Sequence, residues 1–330
     1  MDAGGPGRAI VPRILCLLGR SRGKASNETV TTETIFLTGA TGIVGSAVLE
    51  ILTSAGYEVH CLIRRDDALH AVNQARGHPI VGDMTDPEIF RRLSAEHNFT
   101  YIIHAAQAHY RDHPTEEIAR QERIAVENLE ILRHRDTRLM VFTCGVWIYG
   151  NCAKGFSIDE STPRAPRPAA VPRSLLISEL SGRSGSKWAQ LCLPSFVYGS
   201  IGPLLETARR FRRGDVKVLH DESIQWSVIE RFDLGRAYLA LLQHGKPGDY
   251  YVVAEDTPIS VVTLHEAIAE AMQGGRVIRK KAFQSITLNQ TESEEGLQNA
   301  NHRFDSSLFQ RQTGWQAHEK FLTSFARFLP

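Results

Sequence analysis

No stretch of this 330-residue chain reaches the ~18 consecutive apolar residues that cross a bilayer, so no membrane partner is expected. Charge of one sign is equally lacking. Against 38 Lys and Arg stand 37 Asp and Glu, a formal charge of +1, which removes the global field that draws basic proteins to nucleic acid. Any partner must be recognised locally. Cysteines are few, five in all (Cys16, Cys61, Cys144, Cys152, Cys192), and none forms the Cys-x-x-Cys spacing of a structural zinc site or redox pair. They read as reduced thiols of a cytoplasmic protein.

What is present is an ordinary globular composition, 42% hydrophobic and 23% charged, long enough for one large α/β unit or two coupled domains. The start of the chain differs: Arg8, Arg13, Arg20, Arg22 and Lys24 precede any acid other than Asp2. Residues 1–32 read as a disordered extension, with mitochondrial import as the alternative that a basic, acid-poor leader supports.

From Glu33 the pattern alternates between strands and helices, the signature of a parallel sheet covered on both faces. Strands are expected at 34–37, 57–63, 79–81, 101–103 and 139–142. Helices are expected at 44–52, from Asp86-Pro87 onward, and at about 116–134. Between Ser161 and Pro172 four prolines (Pro163, Pro166, Pro168, Pro172) predict an extended loop. A strand at 188–193, a turn at Pro194, a basic helix at 207–213, a helix at 234–242 and a strand at 250–253 follow. The part after Thr263 reads as helical except at 284–288. The fold class is α/β, a Rossmann-like doubly wound parallel sheet, with residues 33–200 as the core and 201–330 mainly a smaller, intertwined substrate lobe.

The sharpest local signal is Thr38-Gly39-Ala40-Thr41-Gly42-Ile43-Val44-Gly45, placed between a strand and a helix. Gly39 permits a tight turn, Gly42 lets backbone approach a pyrophosphate, and Gly45 lets helix pack on strand, while the helix N-terminus offers free N–H groups to the anion. The second strand then ends in Arg64-Arg65, where an NAD site presents an acid to the ribose. The Arg64 guanidinium there suits a 2′-phosphate, which favours NADP and leaves NAD open.

With these residues in place, the chain resembles the extended short-chain dehydrogenase/reductases, the NAD(P)-dependent epimerase/dehydratase family, from about Ile35 to Val253. The matching segments are Thr38 to Gly45, Gly82-Asp83-Met84-Thr85-Asp86, His104-Ala105-Ala106, Ile148-Tyr149-Gly150, Asp159-Glu160, Pro194 to Gly199 and Arg231-Phe232-Asp233-Leu234. The resemblance implies that Asp83 and Met84 contact adenine and that Ala105 and Ala106 line the path to the nicotinamide. It places Thr41 and Ile43 with the glycines at the cofactor and leaves room for a homodimer.

The same resemblance exposes a departure. The family's hydride transfer uses a Ser/Thr four residues before the Val-Tyr-Gly tyrosine and a Tyr-x-x-x-Lys pair. Here the first position is Gly145, and no Tyr-x-x-x-Lys exists from Gly150 to Val197. Aligning Glu179 with the family's glutamate puts Val171 and Leu175 where the tyrosine and lysine belong. Candidate replacements are Thr143 and Tyr149, with His104, His109, Tyr110 and His113 as a second group near the crevice. Cys144 reads as packed. His109 and His113 lack the partners of a metal site, so none is expected. Arg209, Arg210, Arg212 and Arg213 read as a solvated helix face; the resemblance adds a substrate-diphosphate contact as the alternative.

These features point to an NADP-dependent oxidoreductase or epimerase acting on a small carbonyl or hydroxyl compound with a non-standard active site. A non-catalytic NADP-binding regulatory protein and a cofactor-independent isomerase or cyclase remain alternatives.

Overall fold

A computed structural model describes residues 33–107, 114–213, 216–219, 221–272, 277–280 and 300–330. The expectations for residues 1–32, His109, Tyr110, His113 and 284–288 lie outside the described residues. In chain order the first half contains β1 (Thr34–Thr38), α1 (Ile43–Ser54), β2 (Glu58–Ile63), α2 (Leu69–Gln74), β3 (His78–Val81), α3 (Pro87–Glu96), β4 (Tyr101–His104), α4 (Thr115–Ile131) and β5 (Leu139–Gly145). Then come β6 (Ser157–Ile158), α5 (Val171–Gly182), β7 (Trp188–Leu193), β8 (Phe196–Tyr198), α6 (Pro203–Arg213) and β9 (Val216–Leu219). The remainder holds β10 (Gln225–Trp226), β11 (Val228–Glu230), α7 (Arg231–His244), β12 (Tyr250–Val252), β13 (Ile259–Ser260), α8 (Val261–Ala271), β14 (Val277–Lys280), β15 (Arg303–Phe304) and two short helices, Ser307–Thr313 and Phe321–Ser324.

Seven strands form one sheet in the order β12-β7-β5-β4-β1-β2-β3, with every neighbouring pair parallel. Alternation along each strand feeds two cores. Ile35, Leu37, Cys61, Ile103, Val141 and Leu191 cluster with Val48 and Leu52 of α1 and Leu234 and Leu241 of α7. Phe36, Leu62, Ile102, Phe142 and Cys192 cluster with Phe90 of α3, Leu129 of α4 and Ile177 of α5. Each fully buried side chain of this size contributes ~1.5–3 kcal/mol, so the two faces together dominate the stability of the sheet.

A third cluster gathers Tyr198, Leu204, Trp226, Leu264 and Phe321. The segments after β7 are threaded back through the sheet. Strand β12 returns to the sheet beside β7, and α7 lies against α1 at Gly235, where a Cβ would stand 2.8 Å from the Ala47 carbonyl oxygen. Arg231 at the start of α7 secures the crossing by donating to Ser46 (3.0 Å) and Glu50 (2.7 Å) on α1.

One sequence expectation fails in an informative way. The proline-rich stretch does not stay extended to Pro172: residues Pro168–Ala170 form a 3-10 turn and α5 begins at Val171. Pro168 and Pro172 sit in first turns, where the missing N–H has no helical partner to lose. The basic stretch lies on the outer face of α6, with Leu204, Thr207, Ala208 and Phe211 buried beneath it and Arg209 paired to Glu206 at 3.6 Å.

Candidate functional site

At the carboxyl end of β1 the backbone must reverse within a few residues, and Gly39 takes φ +79°, a left-handed value that disfavours other residues. A Cβ at Gly39 would also stand 2.6 Å from the Ala106 amide nitrogen. The turn closes with the Gly42 N–H donating to the Gly39 carbonyl at 3.0 Å, and α1 starts at the next residue with no acidic side chain in its first turn. That end of α1 therefore presents N–H groups and the positive end of its dipole to whatever fills the space above.

The space is a cleft of about 460 Å³ at the carboxyl edge of the sheet. Gly39, Thr41 and Gly42 form its floor, Arg64 follows β2, Asp83 and Met84 follow β3, and Ala105 and Ala106 follow β4; all line it. Of the residues expected at the cofactor, Ile43 and Gly45 stand behind the lining. Gly45 is packed onto the turn itself: a Cβ there would lie 2.1 Å from the Gly39 carbonyl oxygen. Ile43 packs on the first core and against Gly202.

The basic pair after β2 splits in function. Arg65 turns toward Asp67, at 3.5 Å, whereas Arg64 lines the cleft. Across the cleft, Asp83 accepts from the Thr85 amide (2.8 Å) and hydroxyl (2.7 Å). Burial pushes the Asp83 carboxyl up, but the Thr85 bonds and the Arg64 charge outweigh it and hold the group below its ordinary value. Thr85, Gln107, Arg120 and Gln121 also line the cleft and were not singled out in the sequence. Thr85 lay inside the Gly-Asp-x-x-Asp segment; Arg120 and Gln121 reach the cleft only because α4 packs against the sheet.

Among the described residues, the acid/base candidates Thr143, Tyr149 and His104 are not part of the cleft lining. Thr143 is buried, with its hydroxyl 2.6 Å from the Tyr238 hydroxyl. Tyr149 is buried with its hydroxyl 2.6 Å from that of Tyr250, and burial pushes its pKa up, away from the range of a proton donor at neutral pH. His104 is wholly enclosed, its Nδ1 bonded to Thr38 Oγ1 at 2.8 Å, and burial lowers its pKa so that it stays neutral. Cys144 is packed in the second core. Gly145, by contrast, faces open space: a Cβ there meets nothing within 4 Å. Val171 opens α5, and Leu175 is 60% exposed.

Compared with known proteins, residues 35–172 match the model of the NAD dependent epimerase/dehydratase family. Over these residues, less than half of the chain, the sequence is similar to that family. Epimerases and dehydratases are enzymes, and the family fold explains the seven-stranded parallel sheet. Among solved structures, the UDP-glucose 4-epimerase of Thermus thermophilus, in complex with NAD, is 20% identical with TM-score 0.72, covering 89% of this chain and 97% of that one. The Bordetella bronchiseptica enzyme WbmG, in complex with NAD and UDP, is 18% identical with TM-score 0.74, covering 90% of this chain and 95% of that one. These likenesses establish the fold.

By sequence, an uncharacterized protein of Schizosaccharomyces pombe is 23% identical over 88% of this chain and 98% of its own length. A decarboxylating sterol-4-alpha-carboxylate 3-dehydrogenase of Dictyostelium discoideum is 25% identical over 52% of this chain and 56% of its own length. Among the described residues, no group of three or more His, Cys, Asp or Glu side chains could hold a metal ion, and no helix is long and apolar enough to cross a membrane. A cleft of this shape can seat a dinucleotide with its phosphates over α1.

Proposed function

We propose that the chain is an NADP-dependent oxidoreductase or epimerase of the extended short-chain dehydrogenase type, acting on a small carbonyl or hydroxyl compound without the Ser-Tyr-Lys set. The observation that carries the cofactor choice is Arg64, a cation with no acid beside it in the chain's own cleft lining except Asp83, at the position where an acid would select NAD. Arg64 binds the 2′-phosphate, the Gly39 to Gly42 turn and the α1 N-terminus take the pyrophosphate, and Asp83 with Met84 borders the adenine. When bound, the dinucleotide supplies hydride exchange at its nicotinamide ring. The chain's part is to orient that ring beside the open space at Gly145 and to exclude water there. In this reading residues 33–200 build the dinucleotide site and 201–330 mainly the substrate lobe. The solved structures of similar fold carry NAD, and one carries UDP as well, which supports a dinucleotide in this cleft, while the choice of NADP rests on Arg64.

The test is a titration with NADP+ and NAD+, followed by NADPH consumption against a panel of carbonyl compounds. Tighter binding of NADP+ with turnover of one compound is the expected result; preference for NAD+ refutes the cofactor assignment. A second reading, a non-catalytic NADP-binding regulatory protein, is favoured by the inward pairing of Thr143 and Tyr149 and the apolar Val171 and Leu175. Tight NADPH binding without turnover of any compound selects it.

A further inference from the structure

Helix α5 carries a cation after all, but it points beneath the cleft rather than into it. Arg173, between Val171 and Leu175, is 5% exposed. Its guanidinium donates to the Thr143 carbonyl at the end of β5 and to the Ala106 carbonyl just after β4. It pairs with Glu122 of α4 at 2.9 Å, itself fully buried, and lies over the Phe142 ring with 5.1 Å to the centroid.

The amide on the other side of the Ala106 Cα is held as well. The Ala106 N–H donates to Thr38 Oγ1 at 3.3 Å, and Thr38 Oγ1 in turn bonds His104 Nδ1 at 2.8 Å. His104 Nε2 then faces Glu122 at 3.9 Å, so the polar groups run in a ring from the Ala106 N–H round to the Ala106 carbonyl. Gly39 presses on the Ala105–Ala106 peptide from a third direction, as its clash distance to the Ala106 nitrogen shows. A cleft-lining residue is thereby fixed from both its donor and its acceptor side.

Stability alone is a poor explanation for such a device, because a buried Arg–Glu pair recovers little more than its own desolvation cost. An arginine nevertheless suits this position, since its planar fork spans two carbonyls on adjacent strands, where an ammonium group has no fixed second arm. The location of the ring tells which part of a ligand it serves. In the sheet order, β1 with its glycine turn is central, β2 and β3 with Arg64 and Asp83 lie to one side, and β4 and β5 lie to the other. A dinucleotide whose phosphorylated ribose meets Arg64 and whose pyrophosphate lies on β1 must lay its nicotinamide half over β4 and β5.

We propose that Arg173, with Glu122, is a positioning residue for the nicotinamide half of the dinucleotide, acting through the Ala106 carbonyl. The inference rests on the dinucleotide reading above, and the test separates the two. The ligands are NADPH and 2′,5′-ADP, which keeps the adenosine half with its 2′-phosphate and lacks the nicotinamide. The variants are Arg173→Met combined with Glu122→Gln, which removes the pair without stranding a buried charge, and Arg173→Lys, with thermal unfolding measured on each.

In the double variant NADPH affinity falls about tenfold, the scale of one charge-assisted hydrogen bond, while 2′,5′-ADP affinity stays within about twofold. The emission change of the bound dihydronicotinamide shrinks at saturation, and Arg173→Lys recovers part of both. Equal losses for the two ligands, or no loss for either, overturn the positioning role. A wild-type chain that binds neither ligand overturns the dinucleotide reading itself, and this inference with it.

Discussion

Gly42 and Gly45 stand three residues apart in one turn, yet replacing each by alanine should damage different properties. At Gly45 the new methyl would sit 2.1 Å from the Gly39 carbonyl oxygen, 2.5 Å from the Gly39 carbonyl carbon and 2.9 Å from the Ala40 nitrogen, all backbone atoms with no rotamer to move. Helix α1 must then lift from the turn, disturbing its contact with α7 as well. Overpacking of this kind costs ~1–3 kcal/mol, and for a chain of this size each kcal/mol lowers Tm by roughly 2 °C, so a fall of several degrees is expected.

At Gly42 the nearest atom is 3.5 Å away and the backbone is extended at φ −79° and ψ 170°, so alanine fits the fold. Its methyl enters the cleft at the point where backbone must approach a pyrophosphate. Gly42→Ala should therefore hold Tm within about 1 °C while losing tenfold or more in NADP+ affinity, because a ligand phosphate loses its close approach to the α1 amides. The assay is thermal unfolding with and without NADP+, paired with calorimetric titration. If Gly45→Ala melts like wild type, or Gly42→Ala binds like wild type, the assignment of packing to one glycine and ligand approach to the other is refuted.

Three further outcomes are expected. Arg64→Glu weakens NADP+ binding by about tenfold or more and improves NAD+ binding, as the loss of a charge-assisted phosphate contact requires; parallel changes for both dinucleotides would count against Arg64. Thr143→Val and Tyr149→Phe each remove a buried hydroxyl pair and cost ~1 kcal/mol in stability while leaving NADPH titrations unchanged; a variant with unaltered Tm but weakened NADPH binding would show that its hydroxyl serves the cleft. Burial pushes the Glu255 carboxyl from 4.5 up to about 7, so folding favours the protonated form, and the stability this confers is present below pH 4.5 and lost as pH rises through 7. Glu255→Gln should thus gain on wild type above pH 7 by up to about 3 kcal/mol and show no such gain near pH 4; a gain that does not vary with pH would refute the linkage.

How much of this could be read along the chain depended on the range of each demand. The β1 turn was legible because Gly39 and Gly45 answer constraints set within seven residues, and Asp86 announced α3 through its cap, accepting from the Glu88 amide at 3.0 Å. Helix α5 was missed because Pro163 to Pro172 dominates its approach, and proline marks a helix start as readily as a loop. Arg64, the residue at the end of β2 expected at the cofactor, lines the cleft, while Arg65 stands beside Asp67. The Arg173–Glu122 pair had no local sign at all: its members are 51 residues apart, and only the packing of α4 on α5 makes them partners.

Strand β12 has a consequence for how the chain acquires its binding site during synthesis. The glycine turn leaves the ribosome early, but the sheet it crowns gains its last strand only when Tyr250–Val252 pairs with β7, and α1 gains its cover only when Arg231–His244 arrives. Until then α1 shows an apolar flank and β7 an open edge, the kind of surface that chaperones hold and that misassembles when released too soon. A fragment ending near residue 200 should carry every residue of the cleft and still be unable to keep it.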